Sequence, residues 1–323
     1  MKKTHRLFSL LLLLLAQLSL FAQEKNKQYA FVKNKAINKS YNVSASEKLS
    51  IHNSFGSVEV HTWNKNEIKV DVAVEASADK EATVQKLIDA IEVKDQQNGN
   101  NISFKTSING SKNSKNGKSS MSINYSIYMP ASNPLSISNE FGATIVPDFS
   151  GEVDLTSKFG SLNTGALKNI KQVTVEFGKA NFESLSNCTV AIKYSTATFS
   201  KLLGKMKLNF EFCSASRVNI DDNLTSLELG AAYSTVNLRP VGNISASYNI
   251  FTSFGTFKNN TGIKFESDEN EEEKGPKFDH TYQGKTGSGS IPVKANTSFG
   301  KIILGEASAE DLKGKGKSKT KTV

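Results

Sequence analysis

The side chains that could carry chemistry are few and scattered along the 323 residues. Beyond the N-terminal segment the histidines are His52, His61 and His280. His52 and His61 flank a short strand pattern, and neither comes with the serine and carboxylate pattern that marks a triad. No cysteine and histidine set has zinc-site spacing. Gly284-Lys285-Thr286 has the ending of a phosphate-binding loop, but that motif needs glycine at 279, where Asp279 stands. Gly287-Ser288-Gly289 reads as a flexible linker. Asp268, Glu269, Glu271, Glu272 and Glu273 could offer oxygens to calcium. They lack the alternating spacing of a calcium-binding loop, so a solvated acidic loop is the simpler reading. Asp221-Asp222 sits near a turn without an assignable partner, whereas sugar-cleaving enzymes need carboxylates clustered on neighbouring coils. No catalytic, cofactor-binding or metal-ligating residue is therefore assigned.

The two ends of the chain carry its charge. Lys2, Lys3 and Arg6 precede an apolar run, Leu7 to Leu20, that ends at Ala22. This is the layout of a secretory signal peptide over residues 1–22, with a membrane anchor as the competing reading. The run is short against the ~20 residues of a bilayer span, and no later segment is apolar enough to cross. Those three cations and Lys313, Lys315, Lys317, Lys319 and Lys321 supply eight of the nine surplus positive charges. A nucleic-acid surface would place its charge on the folded body, so that class is set aside. Residues 306–323 read as a disordered basic tail.

An internal repeat organises the rest. An aromatic, a small residue and an apolar residue three places after the aromatic recur from Phe55, Phe141, Phe159, Phe177, Tyr194, Phe212, Tyr233, Phe254 and Phe299. The spacing is 17–21 residues from Phe141 to Phe254, the mark of one structural unit used repeatedly. Val173, Val175 and Phe177 alternate with polar residues, then Ala180 and Phe182 resume in the opposite phase. A corner at Gly178 or Lys179 explains the shift. Inward positions fall four before the aromatic (Ile51, Ile137, Leu155, Val190, Leu208, Leu229, Ile250), six before (Leu49, Leu135, Val153, Cys188, Met206) and eight after (Leu167, Leu185, Leu202, Ile220, Val241). Lys171 and Arg217 break the frame. A unit this short buries its apolar side only by stacking. The expectation is an all-β, parallel β-solenoid of about 18–21-residue coils with the aromatics in one interior column. Glu140, Lys158, Glu176, Lys193 and Glu211 precede successive aromatics, so stacking makes opposite charges neighbours. Cys188 and Cys213 sit at different places in the coil, which argues for unpaired thiols.

Residues 45–130 read as an N-terminal β region, and residues 23–44 as a linker before it. The β region comprises strands around Val58–Val60 and Ile68–Val74, a helix over about 79–93 capped by Asp79, and a hairpin of Ile102–Ile108 with Met121–Met129. The coils occupy 131–305, with an acidic loop inserted at 266–290. Ile51-His52-Asn53-Ser54-Phe55-Gly56-Ser57-Val58-Glu59-Val60, Trp63, Ile68-Lys69-Val70 and Tyr125-Ser126-Ile127-Tyr128-Met129-Pro130 resemble the bacterial putative-adhesin family of β-strand-repeat proteins, a domain of unknown function. The resemblance spans roughly 45–305 and implies the fold, with no catalytic residues to carry over. The functional expectation is a non-catalytic, exported protein of the cell envelope, periplasmic or at the surface, that binds polysaccharide or protein. A carbohydrate-active enzyme is the alternative. Exposed strand edges at the stack ends could also support end-to-end self-association.

Overall fold

The structure, a computed structural model, describes residues 29–110, 118–268 and 277–312. The expected signal peptide, most of the acidic run and the lysine-rich tail from 313 lie outside the described residues.

The chain opens with β1 (Phe31–Asn42), β2 (Lys48–Ser54), β3 (Val58–Thr62), β4 (Glu67–Ala78), helix α1 (Glu81–Ala90), β5 (Ile91–Asn98), β6 (Asn101–Ile108) and β7 (Ser119–Met129). The repeats follow as β8 (Leu135–Glu140), β9 (Ala143–Val146), β10 (Phe149–Lys158), β11 (Ser161–Glu176), β12 (Lys179–Ser186), β13 (Thr189–Lys193), β14 (Thr196–Phe199), β15 (Leu202–Glu211), β16 (Ser216–Ile220), β17 (Leu224–Ala232) and β18 (Thr235–Pro240). The chain closes with β19 (Ala246–Ser253), β20 (Thr256–Asn260), β21 (Phe265–Ser267), β22 (Asp279–Lys285), β23 (Ile291–Ser298) and β24 (Lys301–Gly305). The fold is all-β with one helix among the described residues.

A first wall, which holds the strands that precede the nine repeat aromatics, pairs in the order β5-β6-β2-β8-β10-β11-β13-β15-β17-β23-β19-β22-β21. Those that follow them pair as β1-β4-β7-β3-β9-β11-β12-β14-β16-β18-β24-β20. Within the repeats every pairing is parallel, and antiparallel strands occur at both ends. The register follows the repeat: Leu155 faces Ile137 and Val173, and Leu208 faces Val190 and Leu229. The two walls are joined into one sheet through β11 and through the pairing of β12 with β15, and these side chains form one continuous apolar core inside it.

Both irregular positions have a local cause. A register shift after Val153 and Ile170 is a β-bulge, which turns Lys171 out to within 3.7 Å of Asp154. Beside Arg217, Ala215 adopts a left-handed conformation (φ 55°) and adds one residue, so Ser216 pairs with Val236 and Arg217 is exposed. Val241 also departs from the frame. It is exposed, because the chain leaves the wall after Pro240.

Several expected elements are rearranged. β6 and β7 are not a hairpin: Ile102 and Phe104 extend the first wall through β2, while Ile123, Tyr125 and Ile127 extend the second through β3 and β4. The stretch read as a linker contains β1, paired along its length with β4. Helix α1 begins after Lys80 without a side-chain cap, Ile91 already belongs to β5, and Val84 packs against Ala76 and Ala78. The 266–290 insertion holds β22, which covers β19 and pairs with β21. Gly287-Ser288-Gly289 is a pinned turn rather than a free linker, since Ser245 accepts from the Gly289 amide at 3.1 Å. The coils do not stack in chain order: β23 lies between β17 and β19. Residues 306–312 dock, with the Asp311 carboxylate accepting from Lys258 at 2.5 Å and from the Ser308 amide at 3.0 Å.

Candidate interaction surface

The aromatic column lies on the outside, which corrects the interior ladder expected from sequence. Phe55, Phe141, Phe159, Phe177, Tyr194, Phe212, Tyr233, Phe299, Phe254 and Phe278 are each 39–54% exposed. The cause is in the backbone. The nine repeat aromatics, from Phe55 to Phe299, all take left-handed conformations with φ of 50–65°. Alternation of side chains holds only while the chain stays extended. Val173 and Val175 point inward, but the left-handed step at Phe177 swings its ring out at the corner. Such a conformation costs a non-glycine residue about 1–2 kcal/mol, so a repeated offset is needed.

Stacking supplies that offset. Successive rings lie 4.6–5.1 Å apart between centroids. From Phe55 to Phe254 the interplanar angles are 1–9°. Each aromatic pair is worth about 0.5–1.5 kcal/mol beyond area burial. Phe299 stands between Tyr233 and Phe254 because β23 is inserted between their strands. Phe278, from the residue preceding β22, adds the last ring at 4.6 Å.

Glycine behind the ring has a different role from the one its sequence position suggests. A Cβ on Gly160 would lie 1.9 Å from the Gly142 carbonyl oxygen, and one on Gly178 2.0 Å from that of Gly160. These glycines permit close approach of one coil to the next, while the aromatic itself makes the turn. Where Ser195 takes this place, its hydroxyl accepts from the Gly178 amide at 2.9 Å and donates to the Lys193 carbonyl at 2.6 Å. Ser234 does the same for the Cys213 amide and the Ala232 carbonyl.

Charges line one flank of the ridge in the expected alternation. Lys158 lies 3.2 Å from Glu176, and Lys193 lies 3.1 Å from Glu211. The hydrogen bond to Glu211 holds the Lys193 ammonium above the usual lysine range. These pairs neutralise one another and leave the ring edges as the distinctive chemistry. Ring faces inside the stack are covered by their neighbours, so a ligand meets edges, whose hydrogens carry partial positive charge.

The other singled-out residues have structural partners. His61 stacks on Tyr128 at 4.8 Å and lies 3.6 Å from Glu59, while His52 is exposed on the other wall. Trp63 packs on Tyr128, donates to the Glu67 carbonyl at 2.7 Å and carries Lys65 over its ring. His280 lies 3.1 Å from the Lys277 carbonyl oxygen. Asp221 accepts from the Asn223 amide in a turn. Thr286 donates to the Ile244 carbonyl at 2.8 Å, and Gly284 sits against the Phe265 ring, so Gly284-Lys285-Thr286 is part of a strand end. Asp268 accepts from the Thr281 amide and lies 3.6 Å from Lys277. The other acidic residues considered for calcium fall outside the described residues. Among the described residues no group of three or more His, Cys, Asp or Glu side chains is arranged to hold a metal. Cys188 and Cys213 are free and buried, and burial pushes the Cys188 thiol up to about 12.

Among the described residues no helix is long and apolar enough to cross a membrane. No family model matches the chain, and no curated protein matches it. Solved structures do. A protein described as a putative adhesin from Bacteroides fragilis is 11% identical, with 84% of this chain and 97% of that one covered at a TM-score of 0.43. One from Parabacteroides merdae, described likewise, is 7% identical over 84% and 97%, at a TM-score of 0.39. A protein described as a putative lipid binding protein from Parabacteroides distasonis is 7% identical over 84% and 97%, at 0.29.

Proposed function

We propose that the protein is an exported, non-catalytic interaction protein of the cell envelope, built as a parallel β-solenoid that displays the aromatic ridge as its recognition surface. The observation that carries this reading is the ridge itself: ten half-exposed rings in one line, nine of them held in a costly backbone conformation. Strained conformations persist where the surroundings enforce them, and they concentrate at functional sites. The apolar area supports the same view, because a contiguous patch of several hundred Å² or more marks an interaction surface. Export rests on the N-terminal basic and apolar pattern.

A protein partner fits the ridge better than a polysaccharide. Sugars stack on aromatic faces, and here the faces inside the ladder are covered. The test is to incubate residues 23–323 with envelope polysaccharides and, separately, with solubilised envelope proteins. Retention of protein by the wild type and its loss with Phe177→Ser/Tyr194→Ser is the expected result. Release of new reducing ends from a polysaccharide would instead establish the enzyme alternative.

A further inference from the structure

We infer that the ridge pairs with the ridge of a second copy of this chain, in antiparallel side-by-side association; this rests on reading the ridge as the recognition surface. Three observations carry it. First, the area suffices. The eight rings from Phe55 to Phe299, exposing about half of ~200 Å² each, present on the order of 800 Å², which matches the ~800 Å² per partner of a stable interface. Second, the shape is self-complementary. The rings repeat at 4.6–5.1 Å and successive planes stay nearly parallel, so the ridge extends for roughly 40 Å. A second ridge has the same period and can stay in contact over the eight rungs from Phe55 to Phe299, whereas a globular partner of different period meets only a few rungs.

Third, the flanking charges fit a two-fold axis. Along the stack they run Glu140, Lys158, Glu176, Lys193, Glu211, in paired register. An axis midway between Glu176 and Lys193, perpendicular to the ladder, places this row against the same row of the other copy. Glu176 then faces Lys193 of the partner subunit, and Lys158 faces Glu211 of the partner subunit. These four charges each meet their opposite, as an isologous interface requires, and Glu140 faces the uncharged Ala232 of the partner subunit.

The second wall's edge strands, β1 and β20, carry charges that disfavour strand addition. Strand β1 carries Lys33, Lys35 and Lys39. At the other end the second wall closes on β20, whose exposed face includes Lys258, tied to the docked Asp311.

Sedimentation of residues 23–323 between 1 and 100 µM tests the proposal. A dimer that forms within that range is expected. Glu176→Lys, which leaves the core untouched, should weaken it at least tenfold, and the double exchange Glu176→Lys/Lys193→Glu should restore it. Phe177→Ser/Tyr194→Ser should give a monomer with an unchanged circular dichroism spectrum; should that variant fail to fold, the charge variants decide. A wild-type monomer at 100 µM overturns the ridge-to-ridge pairing, as does a dimer indifferent to Glu176→Lys. In either case, retention of an envelope protein that the ring variant loses leaves the ridge as recognition surface intact. Loss of both overturns both.

Discussion

Two columns of side chains run the length of this protein a few residues apart, and they obey opposite rules. The inner one, including Ile137, Leu155, Val173, Val190, Leu208 and Leu229, is fully buried on extended backbone. The outer one, including Phe141, Phe159, Phe177, Tyr194, Phe212 and Tyr233, is half exposed on left-handed backbone. Burial of apolar area holds the inner column. Each fully buried large aliphatic side chain contributes about 1.5–3 kcal/mol. The outer column trades backbone strain against ring stacking, two terms of similar size. Apolar character alone therefore does not locate a residue in a repeat: the backbone state at the corner decides which side of the wall it occupies.

The comparison breaks most visibly at its inner member. Leu208→Asp puts an unpaired charge among Val190, Leu229 and their neighbours, and loss of the cooperative thermal transition is expected, a cost of several kcal/mol. Gly160→Ala comes next. Its methyl group would meet a backbone carbonyl that cannot rotate away, and a loss of about 1–3 kcal/mol in urea unfolding is expected. Phe177→Ala probes the outer column and should cost about 1–2 kcal/mol, because it removes the stacking of a ring of which only half is buried. A larger loss than that of Leu208→Ala, expected at about 2–5 kcal/mol, would reverse the ranking of the two columns.

The cysteines report on the same two places without a change in stability. Cys188 lies in the core two residues before Val190 of the inner column, and Cys213 lies directly behind the ridge, where its thiol donates to the Ile192 carbonyl at 3.1 Å. Burial raises both thiols, so neither should react with an aromatic disulfide reagent at pH 8 until the protein unfolds. Reaction of Cys213 alone would show that the corner opens. The smallest effect concerns the docked segment. Hydrogen bonds from Lys258 and Ser308 hold the Asp311 carboxyl below its usual range. Its folded value is thus below the unfolded one, near 3.9. Its contribution is complete above about pH 4 and is lost as pH falls further. Exchange protection of the Ser308 amide should fade towards pH 2, with the walls unaffected.

Much of the architecture was legible because a repeat states its own register. The positions four before each aromatic are buried at every coil from Ile51 to Ile250, and in the alternating Glu and Lys row Lys158 pairs with Glu176 and Lys193 with Glu211. Lys171 and Arg217 were visible as breaks in the frame, and a bulge and an extra left-handed residue account for them. The candidate surface was legible in its residues and not in its side. Phe177 follows Val173 and Val175 in perfect alternation, and the signal that could have placed it outside is the small residue behind each repeat aromatic, which lets the neighbouring coil approach closely at the corner.

Local sequence determined the all-β character, the unit length and the inner column, because these depend on side-chain period and on residues close in the chain. Tertiary structure decided the rest. It sent β6 and β7 to different walls, since each completed a different apolar face. It slid β23 between β17 and β19, a choice among equivalent coils that no local pattern distinguishes. It also turned the rings outward, because a left-handed corner is tolerable only when a neighbouring coil supplies another ring to stack on and a carbonyl to approach.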